Sequence, residues 1–231
     1  MVVAGGSGSR FGRLKQFEPL GAGTVLDRAV AVARPVVDYL VVVVPAAAGS
    51  VTVEGADAVT EGGATRSESV RAGLAALVQG WNRTDGPDPS GASEQGVDVV
   101  VVHDAARPLA SAALLESVVR AVRAGADGAV PGLPVNDTVK RVIGSKVHET
   151  VSREGLFVVQ TPQAFRLAAL LDAHDGAAEA TDDAALVEAA GGTVVVVDGE
   201  PENVKVTSPF DLRLVEALLS TGALERPGVP S

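Results

Sequence analysis

The sequence predicts an α/β chain built on a doubly wound, mostly parallel sheet, with a β-hairpin arm standing off it. Three observations carry that expectation. Short valine runs recur along the chain, helical patterns lie between them, and a glycine-rich stretch follows the first run directly. A strand that is apolar at every position is covered on both faces, which is the habit of parallel sheets. Sheets of that kind bind ligands beyond the carboxyl ends of their strands, where the glycine stretch lies.

The elements follow in order. "MVVA" (Met1 to Ala4) is the first strand run and Thr24 to Ala33 the first helical pattern. "YLVVVVP" (Tyr39 to Pro45) is the second strand. A helix is expected over Ser67 to Val78 with Ser67 as its N-cap, since a serine before an apolar periodic run accepts from the first free amides. Trp81 to Gly96 is polar and rich in Gly, Pro and Ser, and reads as an exposed loop with no chemical role. "VDVVVVH" (Val97 to His103) is the next strand, Ser111 to Ala124 a helix, Ala184 to Ala190 another, "TVVVVDG" (Thr193 to Gly199) a strand and Phe210 to Leu219 a last helix. Between them, Val135 to Val159 holds two β-rich segments around "IGSK", a turn between hairpin arms. That hairpin, about residues 136–160, needs something to pack against. A partner subunit fits.

The chain has 231 residues, suited to one domain over 1–231, and a formal net charge of −10. A field of that sign disfavours nucleic acid or an anionic membrane as a partner, so an anionic small molecule must be met by a local basic cluster. With no cysteine, disulfides and thiolate chemistry are excluded. No apolar run approaches the roughly 18 residues that span a bilayer. The first residues lack the charged-then-apolar pattern of a secretory leader. A cytoplasmic location is expected.

"AGGSGSRFGRLKQ" (Ala4 to Gln16) combines bare backbone with Arg10, Arg13 and Lys15. Gly6, Gly8 and Gly12 miss the G-x-G-x-x-G dinucleotide spacing by one residue, and Arg13 stands where a P-loop needs lysine. What remains is a loop whose amides can wrap a triphosphate, with Arg10 and Lys15 supplying charge. A surface turn with solvated cations is the alternative on the loop alone.

The stretch resembles the signature loop of sugar-nucleotide nucleotidyltransferases, which runs A-A-G-x-G-x-R and then P-K-Q. Together with "HDAARP" (His103 to Pro108), "NDTVKR" (Asn136 to Arg141), "QTPQAF" (Gln160 to Phe165), "TDDAALVE" (Thr181 to Glu188) and "ENVKVTSPFDL" (Glu202 to Leu212), it resembles the 2-C-methyl-D-erythritol 4-phosphate cytidylyltransferase family, with the segments in that family's order. The resemblance covers Val2 to about Leu219. It implies a Rossmann-like sheet of the nucleotide-diphospho-sugar transferase type. It implies a reaction in which CTP and methylerythritol phosphate give a cytidylyl product and pyrophosphate, with Mg²⁺ as cofactor and a homodimer formed through the arm.

The resemblance assigns roles to residues. Arg10, Lys15 and Lys205 would stabilise the phosphates in the transition state. Gly5, Gly6 and Gly8 would form the loop, and Gly63 and Ser69 in "GGATRSES" would read the cytosine. Asp104 would bind a sugar hydroxyl or help to hold Mg²⁺, and Arg107 would reach the acceptor phosphate. Thr138 and Arg153 would do so from the neighbouring subunit, and Thr161 and Thr181 would hydrogen-bond the acceptor. Read without the family, several of these have bland alternatives. Asp104 and Arg107 make a turn-fixing pair, Ser69 is a first-turn helix residue, Thr181 an N-cap, and the arm charges a solvated face. His103 reads as a packing residue at a strand end. The sequence departs from the family pattern at Leu14 (for proline), Ala64 (for an acidic residue) and Gly5 (for alanine), the last expected only to loosen the loop. Three rivals remain open at this point. They are another polyol phosphate such as ribitol 5-phosphate, a non-catalytic nucleotide-binding dimer, and a nicotinamide-dependent dehydrogenase.

Overall fold

The computed structural model describes residues 1–5, 11, 14–81, 99–175 and 180–221. They form β1 (Val2–Val3), a ribbon of β2 (Pro19–Leu20) and β3 (Gly23–Thr24), α1 (Val25–Ala33), β4 (Val41–Val44), β5 (Ala58–Glu61) and α2 (Arg66–Trp81). Then come β6 (Val99–Asp104), α3 (Ala112–Arg123), β7 (Gly128–Pro134), β8 (Val139–Ile143), β9 (Lys146–Val151), β10 (Phe157–Val159) and β11 (Gln163–Arg166). The chain closes with α4 (Leu167–Ala173), α5 (Asp183–Ala189), β12 (Val194–Asp198) and α6 (Pro209–Ser220). The main sheet has the order β10-β7-β11-β6-β1-β4-β5, with β12 also paired to β7. The pairs of β1 with β4 and β6, of β4 with β5 and of β12 with β7 are parallel. Strand β11 lies antiparallel between β6 and β7.

The valine runs lack alternation because both faces are covered. Val42, Val44 and Val101 pack with Leu26 and Val30 of α1 and Leu115, Val118 and Val122 of α3. Val41, Val43, Val100 and Val102, their neighbours along the same strands, pack on the other side with Val70 and Leu74 of α2, Leu170 of α4 and Val187 of α5. Each valine fully removed from water contributes about 1.5–3 kcal/mol. A third cluster, Phe11, Leu20, Val25, Leu109, Val206 and Val215, seats α6 against the β2–β3 ribbon, the start of α1 and the segment after β6.

Helix starts follow local hydrogen-bond chemistry, and two of them correct the sequence reading. Thr24 and Asp27 cap α1 reciprocally, and Ser208 and Asp211 do the same for α6 behind Pro209. Helix α2 begins at Arg66, not after Ser67. Glu68 N–H donates to Thr65 Oγ1 (3.1 Å), and Thr65 N–H donates to Glu68 Oε2 (3.0 Å). Ser67 is buried inside the first turn. The cap of α5 is Asp182, whose carboxylate accepts from Ala185 N–H, rather than the exposed Thr181. Replacing Ser208 by alanine is expected to cost about 1 kcal/mol in urea unfolding, the usual loss for an N-cap hydroxyl.

The arm is narrower than the sequence reading. Among the described residues, strands β8 and β9 pair only with each other, across a turn in which Gly144 takes a φ of 61°. Strand β10, inside the expected arm, returns to the main sheet beside β7. The expected loop over 81–96 begins at Trp81, the last residue of α2. The rest of it lies outside the described residues.

Candidate active site

Strand β6 ends at Asp104, whose backbone N–H donates to Thr161 Oγ1 (2.9 Å). Thr161 Oγ1 is 3.3 Å from His103 Nδ1, and His103 Nε2 is 3.1 Å from the Arg107 carbonyl. A carbonyl only accepts, so Nε2 carries the proton and Nδ1 receives the threonine hydroxyl. Burial pushes His103 down to about 4, against the pull of the Asp104 carboxylate. His103 is therefore a neutral brace, as a packing residue should be, and not a general base.

The Asp104 carboxylate lies between cations. Lys205 Nζ stands 2.6 Å from Oδ2 and an Arg66 terminal nitrogen 3.6 Å from Oδ1. Burial opposes its ionisation. The charges of Lys205, Arg66 and Arg107 outweigh that and hold Asp104 down to about 2. The sign is the same for both residues: their folded pKa values lie below the unfolded ones, so the stability is present above the unfolded values and lost in acid. For His103 the loss falls between about 6.5 and 4, and for Asp104 between about 3.8 and 2. Urea titrations should show the stability declining in those two windows, by up to about 1.4 kcal/mol for each tenfold change in proton affinity.

Lys15 opens a short 3-10 turn at Lys15–Phe17 and donates to the Val206 carbonyl (2.7 Å), next to Lys205. Two of the three predicted phosphate cations are thus tied to the same short segment, Lys205 at Asp104 and Lys15 at the Val206 carbonyl. The third, Arg10, lies outside the described residues, as do Gly6 and Gly8. The segment carrying Lys205 is stitched down by Asn203, whose side-chain amide donates to the Thr161 carbonyl (2.9 Å) and Gln160 Oε1 (3.3 Å). Arg107 donates to the Asn203 carbonyl (2.7 Å), so in this structure its guanidinium secures the Lys205 segment. Its burial lowers its affinity for a proton.

The segment expected to read the cytosine meets the start of the glycine loop through Ser69. Its hydroxyl donates to the Thr65 carbonyl (2.9 Å) and is almost wholly buried. A Cβ added at Gly5 or at Gly62 would stand 2.6 Å from Ser69 Oγ. Gly5 therefore does more than loosen the loop: it lets the two segments touch. Gly63 is similarly close-packed, since a Cβ there would lie 2.3 Å from Glu68 Cβ. Thr181 is exposed at the entrance to α5. Thr138 and Arg153 sit at the base of the arm, both exposed. Arg153 donates to the Asn136 carbonyl.

Reasoning from the sequence missed Arg66, Gln160, Asp183 and Asn203. All four lie inside the quoted motifs, and all four are held by side-chain hydrogen bonds or ion pairs. No local signal singles them out, because Thr65, Ser67, Thr161, Asp182 and Glu202 beside them are polar as well.

A family model described as IspD, 2-C-methyl-D-erythritol 4-phosphate cytidylyltransferase, matches residues 1–221. The chain belongs to that family. Among IspD relatives, the 2-C-methyl-D-erythritol 4-phosphate cytidylyltransferase of Rubrobacter xylanophilus is 41% identical, over 99% of this chain and 96% of its own length. The bifunctional enzyme IspD/IspF of Granulibacter bethesdensis is also 41% identical over 99% of this chain. The chain spans only 58% of that relative's length. Of solved IspD structures, that of 2-C-methyl-D-erythritol 4-phosphate cytidylyltransferase from Thermus thermophilus superposes with a TM-score of 0.75 at 37% identity, covering 95% of this chain and 97% of its own. The bifunctional IspDF of Campylobacter jejuni gives 0.72 at 29% identity, over 92% of this chain and 52% of its own. The IspD fold, an α/β sheet flanked by helices with a hairpin arm, agrees with the predicted fold class.

Proposed function

We infer that this chain transfers the cytidylyl group of CTP to 2-C-methyl-D-erythritol 4-phosphate, giving 4-diphosphocytidyl-2-C-methyl-D-erythritol and pyrophosphate. Membership of the IspD family favours this reading over a dehydrogenase or a non-catalytic dimer. The observation that carries it is that two lysines meet on adjacent residues of one segment: Lys15 donates to the Val206 carbonyl, and Lys205 pairs with Asp104 at the end of β6. An acceptor phosphate oxygen attacks the α-phosphorus. The bond to the β-phosphate oxygen breaks, and its electron pair leaves with pyrophosphate. Two polyanions must approach, and charge gathers on the α-phosphate oxygens, so positioned cations are the main catalytic requirement. Lys205 and Lys15 supply them from one side and Arg10 from the glycine loop. No side-chain nucleophile is needed.

Among the described residues no cluster of three His, Cys, Asp or Glu side chains could hold a metal. Mg²⁺ bound mainly by substrate phosphates needs only one or two carboxylates, so the donor set fits it through Asp104, which stays ionised. There it would neutralise phosphate charge.

The arm supports a homodimer. Val142, Ile143 and Val147 on it, and Val158 on β10, are each at least half exposed, which suits a face covered by a second copy. Thr138 and Arg153 would then reach the partner's acceptor site. No described helix is long and apolar enough to cross a membrane, and we place the reaction in the cytoplasm. The test is pyrophosphate release with CTP, Mg²⁺ and either 2-C-methyl-D-erythritol 4-phosphate or ribitol 5-phosphate. Turnover with the first is expected, and turnover with the second alone overturns the acceptor.

A further inference from the structure

Arg66 breaks a local rule. It is the first residue of α2, where unpaired amides and the helix dipole make the surroundings positive, and a cation there is unfavourable by about 0.3–1 kcal/mol. Its neighbours explain why it stays. One terminal nitrogen lies 2.8 Å from Asp183 Oδ2 and the other 3.6 Å from Asp104 Oδ1. Burial alone would favour losing its proton. The two carboxylates reverse that and raise its affinity for the proton.

The contacts continue on both sides. Asp183, with no exposure to solvent, holds His174 Nε2 through its other oxygen at 3.0 Å. Asp104 holds Lys205 through its other oxygen at 2.6 Å. The result is a line, Lys205–Asp104–Arg66–Asp183–His174. It joins the segment before α6, the end of β6, the start of α2, the start of α5 and the residue after α4. A guanidinium can occupy the middle of such a line because its rigid fork faces two carboxylates at once, which a single ammonium cannot do.

We propose that Arg66 is the positioning residue for Asp104 and, through it, for Lys205. It acts through the Asp104 carboxylate and contacts neither the reacting phosphorus nor its oxygens. With a cation on each oxygen, the carboxylate is shared between Arg66 and Lys205. Lys205 keeps 42% of its side chain exposed toward solvent and able to meet a phosphate. Without Arg66 the carboxylate would turn wholly onto Lys205 and neutralise the charge that the reaction needs. Through Asp183, Arg66 also fixes the start of α5, next to Thr181. The proposal rests on the cytidylyl-transfer reading of the site.

The test compares the parent chain with Arg66→Lys and with the double variant Arg66→Gln/Asp183→Asn. The lysine keeps one charge beside Asp183 but cannot bridge both acids. The double variant leaves no unpaired charge in the core. Both are expected to melt near the parent temperature. Both should lose kcat by at least about 30-fold, with KM for CTP changed by less than about 3-fold, the split expected when an interaction matters in the transition state alone. Calorimetry of CTP with Mg²⁺ gives a second readout, and the affinity should stay within about 3-fold of the parent. If either variant folds like the parent and keeps kcat within about 3-fold, Arg66 only neutralises Asp183 and the proposal is overturned. It is equally overturned if both variants unfold below the assay temperature, because the role is then that of a structural clamp. A parent that turns over neither acceptor refutes the cytidylyl-transfer reading instead, and is told apart by that control.

Discussion

Lys205→Ala is expected to lower kcat by about 10²–10³-fold, the range seen when one preorganised stabiliser of transition-state charge is removed. Its melting temperature should stay close to the parent's. The lysine side chain is 42% exposed, so its ion pair with Asp104 adds little net stability. Asp104 also keeps Arg66 and Arg107 as neighbours. Lys15 does not replace the missing charge, because it is anchored on the Val206 carbonyl rather than on Asp104. Steady-state pyrophosphate release measures the loss. A decrease of less than about 5-fold would remove Lys205 from the chemistry and, with it, the main support for the proposed mechanism.

Asp183→Ala should be the costliest single substitution for stability, at about 3–5 kcal/mol, the range for breaking one side of a buried ion pair. The alanine leaves the partly buried Arg66 guanidinium without its 2.8 Å partner and the fully buried His174 Nε2 without its acceptor. Asp183→Asn should cost less, since an amide oxygen can still accept from His174. For a chain of this size the alanine corresponds to a fall of roughly 10 °C in melting temperature, readable by calorimetry. A loss under about 1 kcal/mol would mean that the pair is weak in solution despite its geometry.

Much of the fold was legible because its signals are local. Val41 to Val44 announce a strand covered on both faces, and Thr24 and Ser111 open helical patterns. Strand β7 was not legible. "GAVPGLP" reads as a series of breakers, yet a Cβ at Gly128 would stand 2.7 Å from the Phe165 ring, and one at Gly132 would stand 2.8 Å from Val196. Glycine is needed there because side chains from neighbouring strands lie across the backbone. That requirement exists only once the sheet is assembled. The site divides the same way. Lys15, Asp104 and Lys205 stand out as charges in motifs at strand ends. Arg66 and Asp183 matter through each other, 117 positions apart along the chain, a pairing that no local spacing encodes.

The neutral His103, locked between a hydroxyl and a carbonyl, also bears on how acidity controls the rate. From mild acid upward His103, lowered to about 4, takes up no proton. In the proposed reaction the acceptor's phosphate sheds a second proton near pH 6, and turnover should climb through that point and level off as the attacking dianion fills.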